Sequence, residues 1–451
     1  MELDIVGLVG ACSYALDCIE AELVHVTNRH GKRVAYISVC MAERLGIEGS
    51  ALQDLAICAM LHDNALTQYI SEEIQENNIS NISLGGSTQG DKNTVVEGGG
   101  MFNESEAIIS ENGMAYSPEI IKSIVGSIHK KIGLHCTYGE QNIKKLPFYT
   151  DVSGAVLYHH ENADGTGTFG KRWDEIPLFA RIIHLCDMVD VMGNSCDFSG
   201  ESWIRANEYV CRNRNILFDS ECADAFLEVF SEENFVSMSQ DRFEDELWKK
   251  IPRDKRDCDF ETCKGIADFF AGIVDYKSEF TGKHSLGVAK KAAELAEYMG
   301  YSQADIEKFY MAGALHDIGK MAIGNEILEK PGRLTDEEFS RMKNHAGYTY
   351  MILSEVKDFD EVRDWAALHH EKLDGTGYPF GKKAEELNEP ERLMACVDIY
   401  QALTEARPYK SGMSHDKACS ILEDMVQKGW IDAAVTDKLR SCFDVGGRDM
   451  V

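Results

Sequence analysis

A chain of 451 residues is too long for a single hydrophobic core and divides naturally into two domains. Hydrophobic residues at 44% and charged residues at 27% describe a globular protein, with no apolar run of about 18 residues to span a membrane and an acidic start that lacks the basic end of a secretory signal; the expected place is the cytoplasm. A formal charge of -30 excludes a broad polynucleotide-binding surface, and the 14 scattered cysteines contain no CxxC pair, which excludes a zinc ribbon or redox motif.

Helical periodicity dominates the chain order. His30 opens HGKRVAYISVCMAERLG, where Val34, Ile37, Met41 and Leu45 recur at three- and four-residue steps and Gly46 supplies a stop. The apolar segment ALQDLAICAMLHD follows and ends on His62-Asp63. A Gly, Ser and Asn-rich insertion near 76–105 predicts a flexible loop. Beyond it come His135, the pair His159-His160 and Asp187, and then helical stretches such as SECADAFLEVFSEENF. Charge and proline replace apolar periodicity around PRDKRD, so the boundary is expected near residue 255. The second half repeats the order. His284 opens HSLGVAKKAAELAEYMG, with Val288, Ala292, Leu295 and Met299 on one face and Gly300 after it; DIEKFYMAGALHD ends on His316-Asp317; His345, His369-His370 and Asp398 follow. The expected fold is all-α, with two tandem helical bundle domains at 1–255 and 256–451.

The repeated residues are potential metal ligands at repeated spacing. The first His and the His-Asp pair are 32 residues apart in both halves, and the lone His and the His-His pair are 24 apart in both. Ten of the fourteen histidines are used this way, which scattered core histidines would not do. The gap from the His-Asp pair to the lone His differs, 73 residues in the first half against 29 in the second. Imidazole and carboxylate without thiolate suit iron or manganese, with nickel, cobalt and zinc also admissible. Seven ligands are too many for one ion but, with Asp317 as a bridge, leave about two open positions on a pair, which is what a phosphate with two free oxygens needs; the pattern points to a dinuclear hydrolase with two divalent ions per intact site. Lys320 lies one helical turn past His316 and is placed to protonate a leaving alkoxide or hold a phosphate; Leu66 stands at the matching position of the first half, which predicts a slow or inactive N-terminal site.

With HDIGK (316–320), NHAGY (344–348), HHEKLDGTGYP (369–379) and ACVDIYQALTEARPY (395–409) in this order after His284, the second half resembles the HD-GYP family of the HD phosphohydrolase superfamily. The first half resembles a diverged member, reading Thr168-Phe169 in HHENADGTGTFGK where the second reads Tyr378-Pro379-Phe380. The resemblance implies two HD-type bundles and a metal-dependent phosphodiesterase acting on a cyclic dinucleotide, cyclic di-GMP ahead of cyclic GMP-AMP. It implies metal roles for His284, His316, Asp317, His345, His369, His370 and Asp398, with Asp317 and Lys320 catalytic. A second, auxiliary or regulatory metal site follows at His30, His62, Asp63, His135, His159, His160 and Asp187. Lys320, Arg407, Gly377, Tyr378 and Pro379 are the expected substrate contacts, with Arg333 and Lys343 behind them. The loop Gly377-Tyr378-Pro379 also implies docking of GGDEF-type proteins, and the reading admits a homodimer. Two departures from the family stand out: Gln401 replaces an Asp, and Phe280 stands four residues before His284, where members with a third metal carry Glu; in the first half that position is Val26.

Overall fold

The computed structural model describes residues 1–23, 29–65, 132–194, 197–240, 242–277, 284–328, 330, 332–406 and 411–444. The expected loop at 76–105, Leu66, Val26, Phe280 and Arg407 lie outside them. The described residues are mostly helical; their strands are Glu2–Leu3 and Arg256–Asp257, an antiparallel pair with Glu2 opposite Asp257 and Leu3 opposite Arg256.

The chain divides into two compact units, and the division departs from a single cut at 255. One unit holds Leu16–Lys144 and Phe148–Arg253; the other holds Asp254–Val451 together with Met1–Ala15 and Lys145–Pro147. The amino-terminal residues join the C-terminal unit because the strand pair ties them to Arg256 and Asp257, and because Leu3, Ile5, Leu8, Val9 and Cys12 are buried. Arg256 Nη1 holds Pro147 by donating to its carbonyl at 2.6 Å. Ligand order carried no marker ahead of His30, so the sequence did not separate these residues from the first domain.

In the C-terminal unit the helix His284–Met299 packs on Gln303–Leu315. Val288, Ala292 and Leu295 are fully buried, while Met299 is half-buried. Burying a Leu side chain such as Leu295 is worth about 2 kcal/mol. The backbones approach closely because Gly313 has no side chain: a Cβ there would lie 2.6 Å from Ala289 Cα. Ser302 caps the second helix by accepting from Asp305 N. Capping boxes open Asp336–Ser354 at Thr335 and Glu338, and Glu389–Thr404 at Asn388 and Glu391. Phe309 stacks on Trp365 at 4.4 Å, joining Gln303–Leu315 to Asp360–Ala367.

The N-terminal unit is built on the same helix pair, His30–Ala42 and Ser50–Met60, with Gly31 against the Met60 carbonyl where a Cβ would lie 2.7 Å away. His30–Ala42 is buried on nearly every side, because Ser50–Met60, Leu178–Asn194, Ser220–Val229 and Arg242–Lys250 pack against it and Asn234 of Glu232–Ser237 donates to its Tyr36 hydroxyl at 2.9 Å. Tyr36 meets Phe230 and Phe243, each at 5.9 Å, and Lys32 pairs with Glu244 at 2.9 Å. Among the described residues, no helix is long and apolar enough to cross a membrane.

Candidate metal centres

Helix ends deliver several of the candidate C-terminal ligands. His284 is the first residue of its helix, His316 caps the end of Gln303–Leu315 with Asp317 next, and His369 and His370 sit in the turn after Asp360–Ala367 rather than on a helix. His345 and Asp398 project from within Asp336–Ser354 and Glu389–Thr404. The structure brings all seven together in three overlapping groups: His284, His316 and Asp398; His345, His369 and His370; and His316, Asp317 and His369. His284 Nε2 lies 3.0 Å from Asp398 Oδ1, His316 Nε2 3.2 Å from Asp317 Oδ2, and His345 Nε2 3.4 Å from Asp317 Oδ1. Asp317 thus turns one oxygen toward His316 and the other toward His345.

The hydrogen bonds fix which ring nitrogen faces the centre. His316, His345 and His369 each donate Nδ1–H to the carbonyl three residues earlier, Gly313 at 2.7 Å, Met342 at 2.7 Å and Ala366 at 2.6 Å. A carbonyl only accepts, so Nδ1 carries the proton and Nε2 presents its lone pair. Those three Nε2 atoms, and Asp317 Oδ1, are buried with no hydrogen-bond partner among the described residues. Burial of unpaired lone pairs costs energy unless something electron-poor meets them, so this convergent set fits divalent cations. Burial pushes the Asp317 carboxyl up, but His316 and Lys320 outweigh it and hold the group well below the usual carboxylate range. Burial lowers the His345 imidazole to about 3, against the pull of Asp317, which keeps it a neutral ligand. Lys320 Nζ donates to Asp317 Oδ2 at 2.5 Å, from the short 3-10 turn Ile318–Ala322.

The N-terminal unit assembles its seven residues too. Asp63 belongs to two groups, one with His30 and His62 and one with His135, His159 and His160. Asp187 joins them through His30 Nε2 at 3.3 Å and His62 Nε2 at 4.0 Å. His62 donates Nδ1–H to Ala59 O at 2.9 Å and His159 to Val156 O at 2.5 Å, repeating the lock of the other centre. His135 departs from it: Nε2 meets Asp63 Oδ1 at 2.8 Å, and its buried Nδ1 has no hydrogen-bond partner among the described residues. His184 stays outside the cluster, as a core histidine whose Nδ1 bonds the His159 carbonyl at 3.0 Å.

The loop after each histidine pair hangs on a glutamate that the sequence reading did not single out. Glu371 Oε1 accepts from Phe380 N at 2.7 Å and Gly381 N at 3.1 Å, and Oε2 from Lys382 N at 3.0 Å. Glu161 does the same for Phe169 N and Lys171 N, both at 2.6 Å. Gly377 passes so close to Glu371 that a Cβ would lie 2.5 Å from its Cα. Tyr378 comes to rest 4.7 Å from the His370 ring, and Gly347 leaves ordinary contact distance, 3.9 Å, for Pro379. Lys343 Nζ sits 5.7 Å from the Tyr378 ring and 4.7 Å from Phe339, while Arg333 is exposed. Also missed were the carboxylates behind the first histidines, Glu405 on His284 and Asp190 on His30. A residue-by-residue alignment of the two halves carries that signal, since Asp190 matches Gln401 and Arg33 matches Gly287.

Known proteins match this chain in sequence and in architecture. The family model described as "HD domain" matches residues 127–219 and 268–435. The 3′3′-cGAMP-specific phosphodiesterase 1 of Vibrio cholerae serotype O1 is 32% identical over 313 residues, which is 67% of this chain and 72% of the relative. Phosphodiesterase 3 of the same name and organism is 32% identical over 320 residues, 70% of this chain and 66% of the relative. A cyclic di-GMP phosphodiesterase of that organism is 40% identical over 167 residues, 34% of each chain. The crystal structure of a cyclic GMP-AMP specific phosphodiesterase of Vibrio cholerae superposes with a TM-score of 0.63 at 23% identity, covering 99% of this chain and 98% of the other, and shares its fold. The chain therefore belongs to the HD-domain family, as a tandem HD-GYP-type member whose C-terminal copy keeps the His-Asp, His-His and Gly-Tyr-Pro motifs and whose N-terminal copy has diverged.

Proposed function

We propose that the chain is a metal-dependent phosphodiesterase that opens a cyclic dinucleotide, with the chemistry in the C-terminal centre and a regulatory or auxiliary role for the N-terminal one. The observation that carries this is the inward-facing set of unpaired Nε2 atoms and Asp317 Oδ1, with Lys320 bonded to the same carboxylate. His284, His316 and Asp398 would hold one ion, His345, His369 and His370 the other, with Asp317 between them. The ligand chemistry supports iron or manganese. When bound, such ions supply a nucleophile at neutral pH and neutralise charge on the phosphate. Lys320 protonates the leaving alkoxide or holds the phosphate, and Tyr378 walls the site beside His370. The same Gly377-Tyr378-Pro379 loop is our assignment for docking GGDEF-type proteins, next to Phe380, which is 53% exposed.

Between the two messengers, 3′3′-cyclic GMP-AMP has the stronger support. The two relatives that match over about two thirds of this chain are named for it, whereas the quoted cyclic di-GMP enzyme matches about one third. Purified protein loaded with Mn²⁺ or Fe²⁺, given each messenger in turn, tests this. Linear product from 3′3′-cyclic GMP-AMP at the higher kcat/KM is expected. Metal and dinucleotide bound without product would overturn the enzymatic reading and leave a receptor.

A further inference from the structure

The carboxylate behind the first histidine comes from different places in the two units. In the N-terminal unit His30 donates Nδ1–H to Asp190 Oδ2 at 2.7 Å, and Arg33 grips the same carboxylate through Nε at 2.6 Å and Nη2 at 2.9 Å. Asp190 lies three residues after Asp187, and the residue three after Asp398 is Gln401. Gln401 does not reach His284. It accepts from Lys291 Nζ at 2.7 Å and fills the space left by Gly287, where a Cβ would lie 2.1 Å from its Nε2; Gly287 stands where the other unit has Arg33. His284 instead donates Nδ1–H to Glu405 Oε2 at 3.0 Å, from the residue just past Glu389–Thr404.

His316, His345 and His369 rest on neutral carbonyls, so His284 receives a charged acceptor that those three do not. A carboxylate on Nδ1–H fixes the tautomer that leaves the Nε2 lone pair free for a cation shared with Asp398, whose Oδ1 lies 3.0 Å away, and makes that nitrogen a stronger donor to the cation. We propose that Glu405 is the positioning residue of the C-terminal centre, a carboxylate moved one helical turn from position 401 to 405 that orients His284 and tightens its hold on a divalent cation. This rests on His284 being a metal ligand.

The test uses full-length protein with His62→Ala and Asp63→Ala, stripped with chelator, so that calorimetric titration with Mn²⁺ reports the C-terminal centre. Glu405→Ala is expected to weaken Mn²⁺ binding about 10- to 100-fold, the usual cost of losing such a partner. Glu405→Gln keeps the size without the charge and is expected to weaken it as well, which keeps the test decisive if the alanine variant folds poorly. Adding Gln401→Asp to Glu405→Ala restores the carboxylate at the position Asp190 uses, and most of the affinity should return. Unchanged binding in Glu405→Gln, or no recovery in the double variant, overturns the assignment. Absence of Mn²⁺ binding before any change at 405 sinks the metal reading itself, which separates the two failures.

Discussion

The two centres keep the same seven side chains and differ in what supports them. In the C-terminal unit His345 is locked by the Met342 carbonyl, Lys320 sits on Asp317, and Tyr378 lies against His370. In the N-terminal unit the matching His135 Nδ1 has no partner among the described residues, and Gly133, Thr168 and Phe169 stand where Lys343, Tyr378 and Pro379-Phe380 stand in the other. The clustered His and Asp side chains therefore persist while their supporting contacts diverge. On the proposed function, cation binding should follow the cluster and turnover should follow its surroundings.

The sharpest way to break this comparison is to remove the His-Asp pair from one unit at a time. His316→Ala with Asp317→Ala should lower turnover by at least about 1,000-fold, since on the proposed function these groups would hold the charge-stabilising cations. The same change at His62 and Asp63 should leave most of it. Product formation from both messengers, with metal content measured alongside, checks this; equal losses would refute the division of labour. Lys320→Ala comes next. It should cost about 100- to 10,000-fold in kcat, the range for a lost general acid, with metal content kept.

A third test asks where the units ought to behave alike. Glu371 and Glu161 each accept backbone N–H bonds that fold the loop after the histidine pair. Replacing either with Ala strands those donors and should destabilise its own unit by about 2–4 kcal/mol. Denaturant unfolding should register both, while only Glu371→Ala also lowers turnover. Lys343→Ala is a smaller change confined to one unit. It removes a cation held near Phe339 and Tyr378, and should raise KM about three- to tenfold while kcat stays nearly constant.

Much of this was legible in the sequence because the repeat itself is a measurement. Equal intervals of 32 and 24 residues picked out, in each half, the first His, the His-Asp pair, the lone His and the His-His pair that the structure gathers into clusters, and the helix starts at His30 and His284 followed from apolar spacing. What escaped is what has no local period. The strand pair that carries Met1–Ala15 into the C-terminal unit joins residues some 255 positions apart. Glu405 was hidden because it compensates for a loss at Gln401 from a different turn of the chain, and a pattern read position by position registers only the loss. Nor does apolar spacing announce that the histidine pairs lie in turns, where backbone direction changes and the two rings stay 4.0 Å apart.

The finest comparison concerns two buried acids that play the same part in each unit. Asp17 Oδ1 accepts from Gly31 N at 3.1 Å, and Asp275 Oδ1 accepts from Ser285 Oγ at 2.9 Å, so each braces the residue after the first histidine. Burial pushes Asp17 up to about 6, against the opposing pull of Lys32, and Asp275 up to about 7, against its bond from Ser285. Both values lie above the unfolded value of about 4. The folded state therefore binds the extra protons, and stability from these groups is greatest below about pH 4 and falls as pH rises toward 6 for Asp17 and 7 for Asp275. Asp17→Asn and Asp275→Asn remove the titration. Each should raise the melting temperature of chelator-treated protein relative to wild type at pH 8 and give no such gain near pH 4. A gain independent of pH would mean that the acids are not titrating in this window. A gain in one variant alone would show that the two braces, alike in geometry, differ in charge.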